Sequence, residues 1–82
     1  MELKDEILEK LIARTAMVFK KDPAELSAET NFVEDLKAKS VNMVQIITVL
    51  EDEYDVEITF MEARRKKTIG EMADYITKLC GA

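Results

Sequence analysis

Near the start of the chain the apolar residues Leu3, Ile7, Leu8, Leu11, Ile12, Val18 and Phe19 recur three and four apart, with mainly charged residues between them. That spacing predicts an amphipathic helix from Glu2 to about Phe19. Lys20 and Lys21 suit its C-terminal end, where the helix dipole favours positive charge. Asp22-Pro23-Ala24-Glu25 then reads as a single capped turn, with an acid at the cap, proline at the first helical position and a second acid at the third.

The connection from Lys20 to Lys39 is long for a small domain. It carries apolar anchors at Leu26, Phe32, Val33 and Leu36, so an ordered loop pinned to a core is expected. Helical spacing returns from Ser40 to Tyr54. At about 100° per residue, Met43, Ile46, Ile47, Leu50 and Tyr54 share one face and should be buried. Val41 and Val44 turn away from that face. They should be partly exposed, forming a small apolar spot beside Ser40 that a partner could cover.

Asp55-Val56-Glu57-Ile58 interrupts the pattern, and Thr59 to Arg64 is long enough for one short helix capped by Thr59. A last helix should begin at Thr68, with Glu71 completing a capping box. Ile69, Met72, Ala73, Ile76 and Leu79 repeat along it, and Gly81 suits its end. Met43, Met61 and Met72 fall on expected core faces as adaptable packing. Together these elements predict an all-α fold, a small four-helix bundle of three main helices plus one short one, in a single domain over residues 1–82.

Composition narrows the function. A chain of 82 residues buries only ~60–65% of the surface its unfolded form exposes, leaving little room for an elaborate cleft. There is no histidine, so the commonest general base and the commonest metal ligand are missing, and neither an enzyme acting alone nor a metal site is expected. Cys80 is the only cysteine, which rules out an internal disulfide or a cysteine-based zinc site. The start of the chain lacks a signal-peptide pattern, and no apolar run approaches the ~18 residues of a membrane span. A cytoplasmic protein without membrane insertion is therefore expected.

The net charge of −5 is unevenly spread. Residues 1–39 hold 7 basic and 9 acidic side chains, residues 40–58 none and 5, and residues 59–82 hold 5 and 3. The run Glu51-Asp52-Glu53-Tyr54-Asp55 lacks the glycine and alternating ligands of a calcium loop and reads as a solvated helix end. Arg64-Arg65-Lys66-Lys67 has no interleaved aromatics and sits on an acidic chain. It reads as a solvated turn or a docking point for an acidic protein surface, not a nucleic-acid footprint.

Ser40 stands where the polar connection gives way to the second helix. A serine there is placed to cap the helix. The same place would tolerate an attached phosphate, because a helix N-terminus offers free amide donors and a positive dipole end. Local chemistry leaves both roles open.

Asp35-Leu36-x-x-x-Ser40-Val41 heads an acidic helix ending Leu50-Glu51-Asp52-Glu53-Tyr54-Asp55-Val56-Glu57-Ile58, and this arrangement resembles an acyl carrier protein. Phe32-Val33-Glu34-Asp35-Leu36 before it and Thr68-Ile69-Gly70-Glu71-Met72-Ala73-Asp74-Tyr75-Ile76 after it extend the resemblance over nearly the whole chain. The resemblance implies that Ser40 carries a covalent 4′-phosphopantetheine arm derived from coenzyme A and attached by a phosphopantetheinyl transferase. The arm's thiol would hold acyl groups as thioesters for acyl-loading, condensing or acyltransferase enzymes of fatty-acid-related, lipid or secondary-metabolite synthesis, on a monomeric carrier. It also implies an acyl-chain pocket against Ile46, Ile47, Leu50 and Met61.

The departures from the family pattern define a second expectation. Where the family usually reads Gly-x-Asp-Ser-Leu-Asp/Glu, this chain reads Lys37-Ala38-Lys39-Ser40-Val41-Asn42. Gln45 and Thr48 stand where an acid and an apolar residue are common, and Lys66 where an apolar one is. Lys37, Lys39, Val41, Asn42, Val44, Gln45, Thr48, Glu51 and Lys66 are therefore the expected partner-recognition residues. Since typical partners present basic patches, like charge implies dedicated enzymes. A second reading is an unmodified, carrier-like interaction module that docks through the second helix.

Overall fold

The computed structural model describes residues 2–81. Among these residues four α-helices are formed: α1 over Leu3–Phe19, α2 over Ser40–Tyr54, α3 over Phe60–Ala63 and α4 over Ile69–Leu79. A 3-10 turn at Pro23–Glu25 lies in the long connection. Helix α1 packs against α4 and α2, and α3 packs on α2. The expected all-α bundle of three main helices and one short one is therefore present.

The buried faces follow the sequence spacing closely. Ile7 and Leu11 of α1, Met43, Ile46, Ile47 and Leu50 of α2, and Ile69, Met72, Ala73 and Ile76 of α4 form one core. Each large aliphatic side chain buried in this way contributes about 1.5–3 kcal/mol of transfer free energy. Tyr54, the last residue of the expected α2 stripe, is half-buried, because its hydroxyl reaches out to donate to Glu6 Oε2 at 2.7 Å. Thr15, which the apolar pattern passed over, is fully buried in α1, and among the described residues its Oγ1 has no hydrogen-bond partner.

The connection between α1 and α2 is ordered by a network of its own. The Asp22 side chain accepts from Ala24 N, and Glu25 Oε2 accepts from Asp22 N, which forms the expected capped turn. Further on, Asn31 Oδ1 accepts from both Val33 N and Glu34 N, while Asp35 Oδ2 accepts from Asn31 N at 2.7 Å. The loop is then tied to the start of α4 by Phe32 N to Lys67 O, Ile69 N to Thr30 O and Gly70 N to Ala28 O. A Cβ at Gly70 would lie 3.0 Å from the Ala28 carbonyl oxygen, so the close approach of loop and helix uses the missing side chain.

Several expectations are corrected. Leu26, Phe32 and Leu36 anchor the loop as expected, but Val33 is 64% exposed, because the Asn31-centred turn rotates it outward. Met61 is 58% exposed: a four-residue α3 buries Ala63 and directs Met61 to solvent. Leu79 is exposed as the last residue of α4. Thr59 occupies the N-cap position of α3 without a side-chain cap bond, and its backbone N–H instead donates to the Tyr75 hydroxyl at 3.3 Å. Thr68 does cap α4, accepting from Glu71 N at 3.1 Å.

Candidate functional site

Ser40 is the first residue of α2, one position inside the helix, and Lys39 occupies the N-cap. The serine therefore does not serve as the cap that local chemistry allowed. The N-terminus is closed by Asn42, whose Oδ1 accepts from Lys39 N at 2.9 Å, while Lys39 O accepts from Met43 N as the helix begins. Ser40 is exposed, and among the described residues its hydroxyl has no protein hydrogen-bond partner. At this end the first N–H groups of the helix lack intrahelical acceptors and carry the positive end of the dipole.

A cavity of about 230 Å³ opens beside Ser40. Phe32, Ala38, Met43 and Phe60 supply apolar surface to it. Lys39 contributes from the head of α2, and Arg64 and Lys66 from the segment after α3. Among the described residues no carboxylate lines it. Phe32 and Met43 are both core residues, so the cavity is an opening into the core beside the serine.

The loop before Ser40 is set by unusual backbone geometry. Lys37 has φ 51°, in the left-handed region where a non-glycine residue is strained. Its N–H donates to Val33 O and that of Ala38 donates to Phe32 O, turning the chain into the helix. The family pattern's usual glycine at this position thus has a direct conformational reason here.

The residues expected to meet partners divide into two groups. Lys37, Lys39, Val41, Val44, Gln45 and Thr48 are exposed, Val41 by 60% and Val44 by 45%. Asn42, Glu51 and Lys66 are half-buried and already engaged. Asn42 closes the helix, Glu51 Oε2 accepts from Ile58 N at 2.8 Å, and the Lys66 ammonium lies 5.2 Å from the centre of the Tyr75 ring. Ile46, Ile47 and Leu50 are closed into the core, Leu50 also bordering a groove between α1 and α2, and none of them lines the cavity beside Ser40. Met61 lies outside that cavity as well.

Sequence reasoning did not single out Phe32, Ala38, Met43, Phe60 and Arg64 as neighbours of Ser40. Phe32 and Met43 read as ordinary core residues, and only the fold brings the segment after α3 against the head of α2. Among the described residues no cluster of ligating side chains could hold a metal ion. Among the same residues no helix is long and apolar enough to cross a membrane.

The fold is thus a helical bundle with an exposed serine at the head of its second helix, and among the described residues its hydroxyl has no protein partner. The family described as "Phosphopantetheine attachment site" matches residues 6–76. An acyl carrier protein of Thermosynechococcus vestitus is 40% identical over 77 residues, covering 94% of this chain and 95% of its own. One from Lactobacillus acidophilus is 39% identical over 72 residues, covering 88% and 90%. The structure of an acyl carrier protein from Enterococcus faecalis superposes with a TM-score of 0.77 at 27% identity, covering 95% of this chain and 99% of that one. This chain belongs to the acyl carrier protein family, whose members are non-catalytic carriers with a 4′-phosphopantetheine prosthetic group.

Proposed function

We propose that this protein, as one acyl-carrier domain over residues 1–82, carries its 4′-phosphopantetheine arm on Ser40 and presents acyl groups to partner enzymes. One observation carries the assignment: the Ser40 hydroxyl is exposed and unpartnered at the N-terminus of α2, beside a cavity with an apolar lining and a cationic rim. The site fits such a group, since free amide donors and Lys39 stand where its phosphodiester would attach. When bound, the arm supplies a thiol that holds acyl groups as thioesters. The protein itself contributes placement. Asn42 and Lys39 fix the head of the helix, and Val41 and Val44 offer exposed apolar surface next to the serine.

The partners that fit this reading are a phosphopantetheinyl transferase and acyl-loading, condensing or acyltransferase enzymes, met in the cytoplasm by a monomeric carrier. Lys37, Lys39, Arg64 and Lys66 give the surface around Ser40 a positive character, which favours dedicated enzymes over partners with basic docking patches. The test is intact mass after incubation with coenzyme A and a broad-specificity transferase, with Ser40→Ala as control. A gain of one phosphopantetheine on the native chain alone is expected. If protein isolated from its native cell also lacks the arm, the chain acts as an unmodified interaction module docking through α2.

A further inference from the structure

A second groove lies away from the serine. Helices α1 and α2 run antiparallel: Tyr54 bonds to Glu6, Glu53 pairs with Lys10, and Gln45 O accepts from Arg14 Nε at 3.4 Å. Between them opens a groove of about 270 Å³, with Ala13 and Met17 on its α1 side and Val49 and Leu50 on its α2 side. Met17 is 67% exposed and Val49 39%, so apolar surface faces solvent there. Ser40 and Val49 stand nine positions apart on α2, which at about 100° per residue sets them on opposite sides of the helix. None of the residues expected to meet partners at the serine lines this groove.

Its shape and charge describe an occupant. The volume equals roughly nine groups the size of a water molecule at about 30 Å³ each, the bulk of two leucine-sized side chains. A helix laid along the groove supplies two such side chains from positions four apart, the usual way an amphipathic helix seats between two others. The walls differ in sign. Lys10 and Arg14 line the α1 side, and Glu53 of α2 is the one carboxylate lining the groove among the described residues. Lys10 and Glu53 already pair with each other, whereas Arg14 makes no ion pair among the described residues. An anionic lipid surface is disfavoured by Glu53 and by the net charge of −5. We propose that the groove docks an amphipathic helix of a partner protein, with two leucine-sized side chains over Met17 and Val49 and a carboxylate facing Arg14. Docked there, the partner holds the carrier while the opposite side of α2 stays open to the enzymes that use the arm. The docking itself goes beyond the carrier reading of Ser40, and only its use in acyl transfer rests on that reading.

The probes are two synthetic helical peptides with leucines four positions apart, one with glutamates on the flank that faces Arg14 and one with lysines there. Each is titrated into the full chain at low ionic strength, with affinity and backbone amide shifts read together. The native chain is expected to bind the glutamate peptide about tenfold more tightly, an order that reverses in Arg14→Glu and fades in molar salt. Shifts should centre on Ala13, Met17 and Val49 and leave Val41 and Val44 in place. Equal affinity of the native chain for both peptides, a judgement that does not depend on Arg14→Glu folding, overturns the proposal. So do shifts centred on Val41 and Val44. Shifts at Met17 that grow with the concentration of the chain alone make a second copy the occupant, and shifts there with phosphatidylglycerol vesicles make it a membrane; either result overturns the proposal. Loading of Ser40 from coenzyme A should proceed at the same rate with the glutamate peptide bound, and a block would show that the two faces overlap. Absence of added mass without peptide defeats the carrier reading alone and leaves the docking standing.

Discussion

The side-chain oxygen of Asn42 accepts the backbone N–H of Lys39 at 2.9 Å, closing the head of α2 around Ser40 without using the serine. Closing the helix thus falls to Asn42, and the hydroxyl of Ser40, two positions earlier, is left exposed. A serine engaged as the cap would have its hydroxyl directed into the first turn.

This division predicts opposite outcomes for two neighbouring substitutions. Asn42→Ala should cost about 1 kcal/mol, lowering the thermal midpoint by about 4–8 °C. Ser40→Ala should change stability by less than about 0.5 kcal/mol. Denaturant titration of both variants checks this, and a Ser40→Ala loss as large as that of Asn42→Ala would mean that the hydroxyl caps the helix after all.

Lys37 sits at φ 51°, and among the described residues its hydrogen bond is made by the backbone, which donates to Val33 O. Glycine adopts this conformation freely and keeps the same N–H, so Lys37→Gly should stabilise the protein by about 0.5–1 kcal/mol. The folded baseline and helix content should not change. Chemical denaturation decides the matter: a destabilised variant would show that the lysine side chain makes a contact outweighing the backbone strain.

The helices were legible because their apolar residues keep strict spacing: Met43, Ile46, Ile47 and Leu50 are buried as their positions on α2 require. Short or irregular stretches were not. Nothing in Phe60-Met61-Glu62-Ala63 tells which of four residues faces inward, and the choice falls on Ala63. Val33 reads as an anchor until the Asn31 side chain organises the turn beneath it. Ser40 could be found from its place in the chain, but Arg64 could not, since its nearness to the serine depends on α3 packing against α2.

The Tyr54 hydroxyl donates to Glu6 at 2.7 Å, joining the end of α2 to the start of α1. Burial first, and then the bond to Glu6, push its ionisation well above the ordinary value near 10. A raised folded-state value means that the folded form keeps its proton where the unfolded form has lost it. The resulting stabilisation is therefore complete below about pH 10 and declines as pH rises further. Lys4, paired with Asp74, and Lys10, paired with Glu53, are shifted upward and add to the same alkaline loss. Stability measured from pH 8 to pH 11 should fall, and Tyr54→Phe should fall less steeply. Identical slopes would remove Tyr54 from the account.

Lys39 directly precedes the serine and is exposed at the rim of the cavity, where it makes no ion pair among the described residues. A broad-specificity transferase with a basic docking surface should therefore meet an electrostatic barrier at this position. Lys39→Asp reverses the charge while keeping a side chain suited to the N-cap, so the fold should be retained or slightly stabilised. The rate of phosphopantetheine attachment at low ionic strength should rise by roughly tenfold, with the gain shrinking as salt screens the encounter. An unchanged rate would assign recognition to shape, with the exposed Val41 as the contact to substitute next. The same variant bears on partner choice. If charge excludes general fatty-acid enzymes, a ketosynthase that elongates poorly on the native carrier should accept Lys39→Asp more readily. Equal elongation on the native protein and on an ordinary acidic carrier would overturn the assignment to dedicated partners.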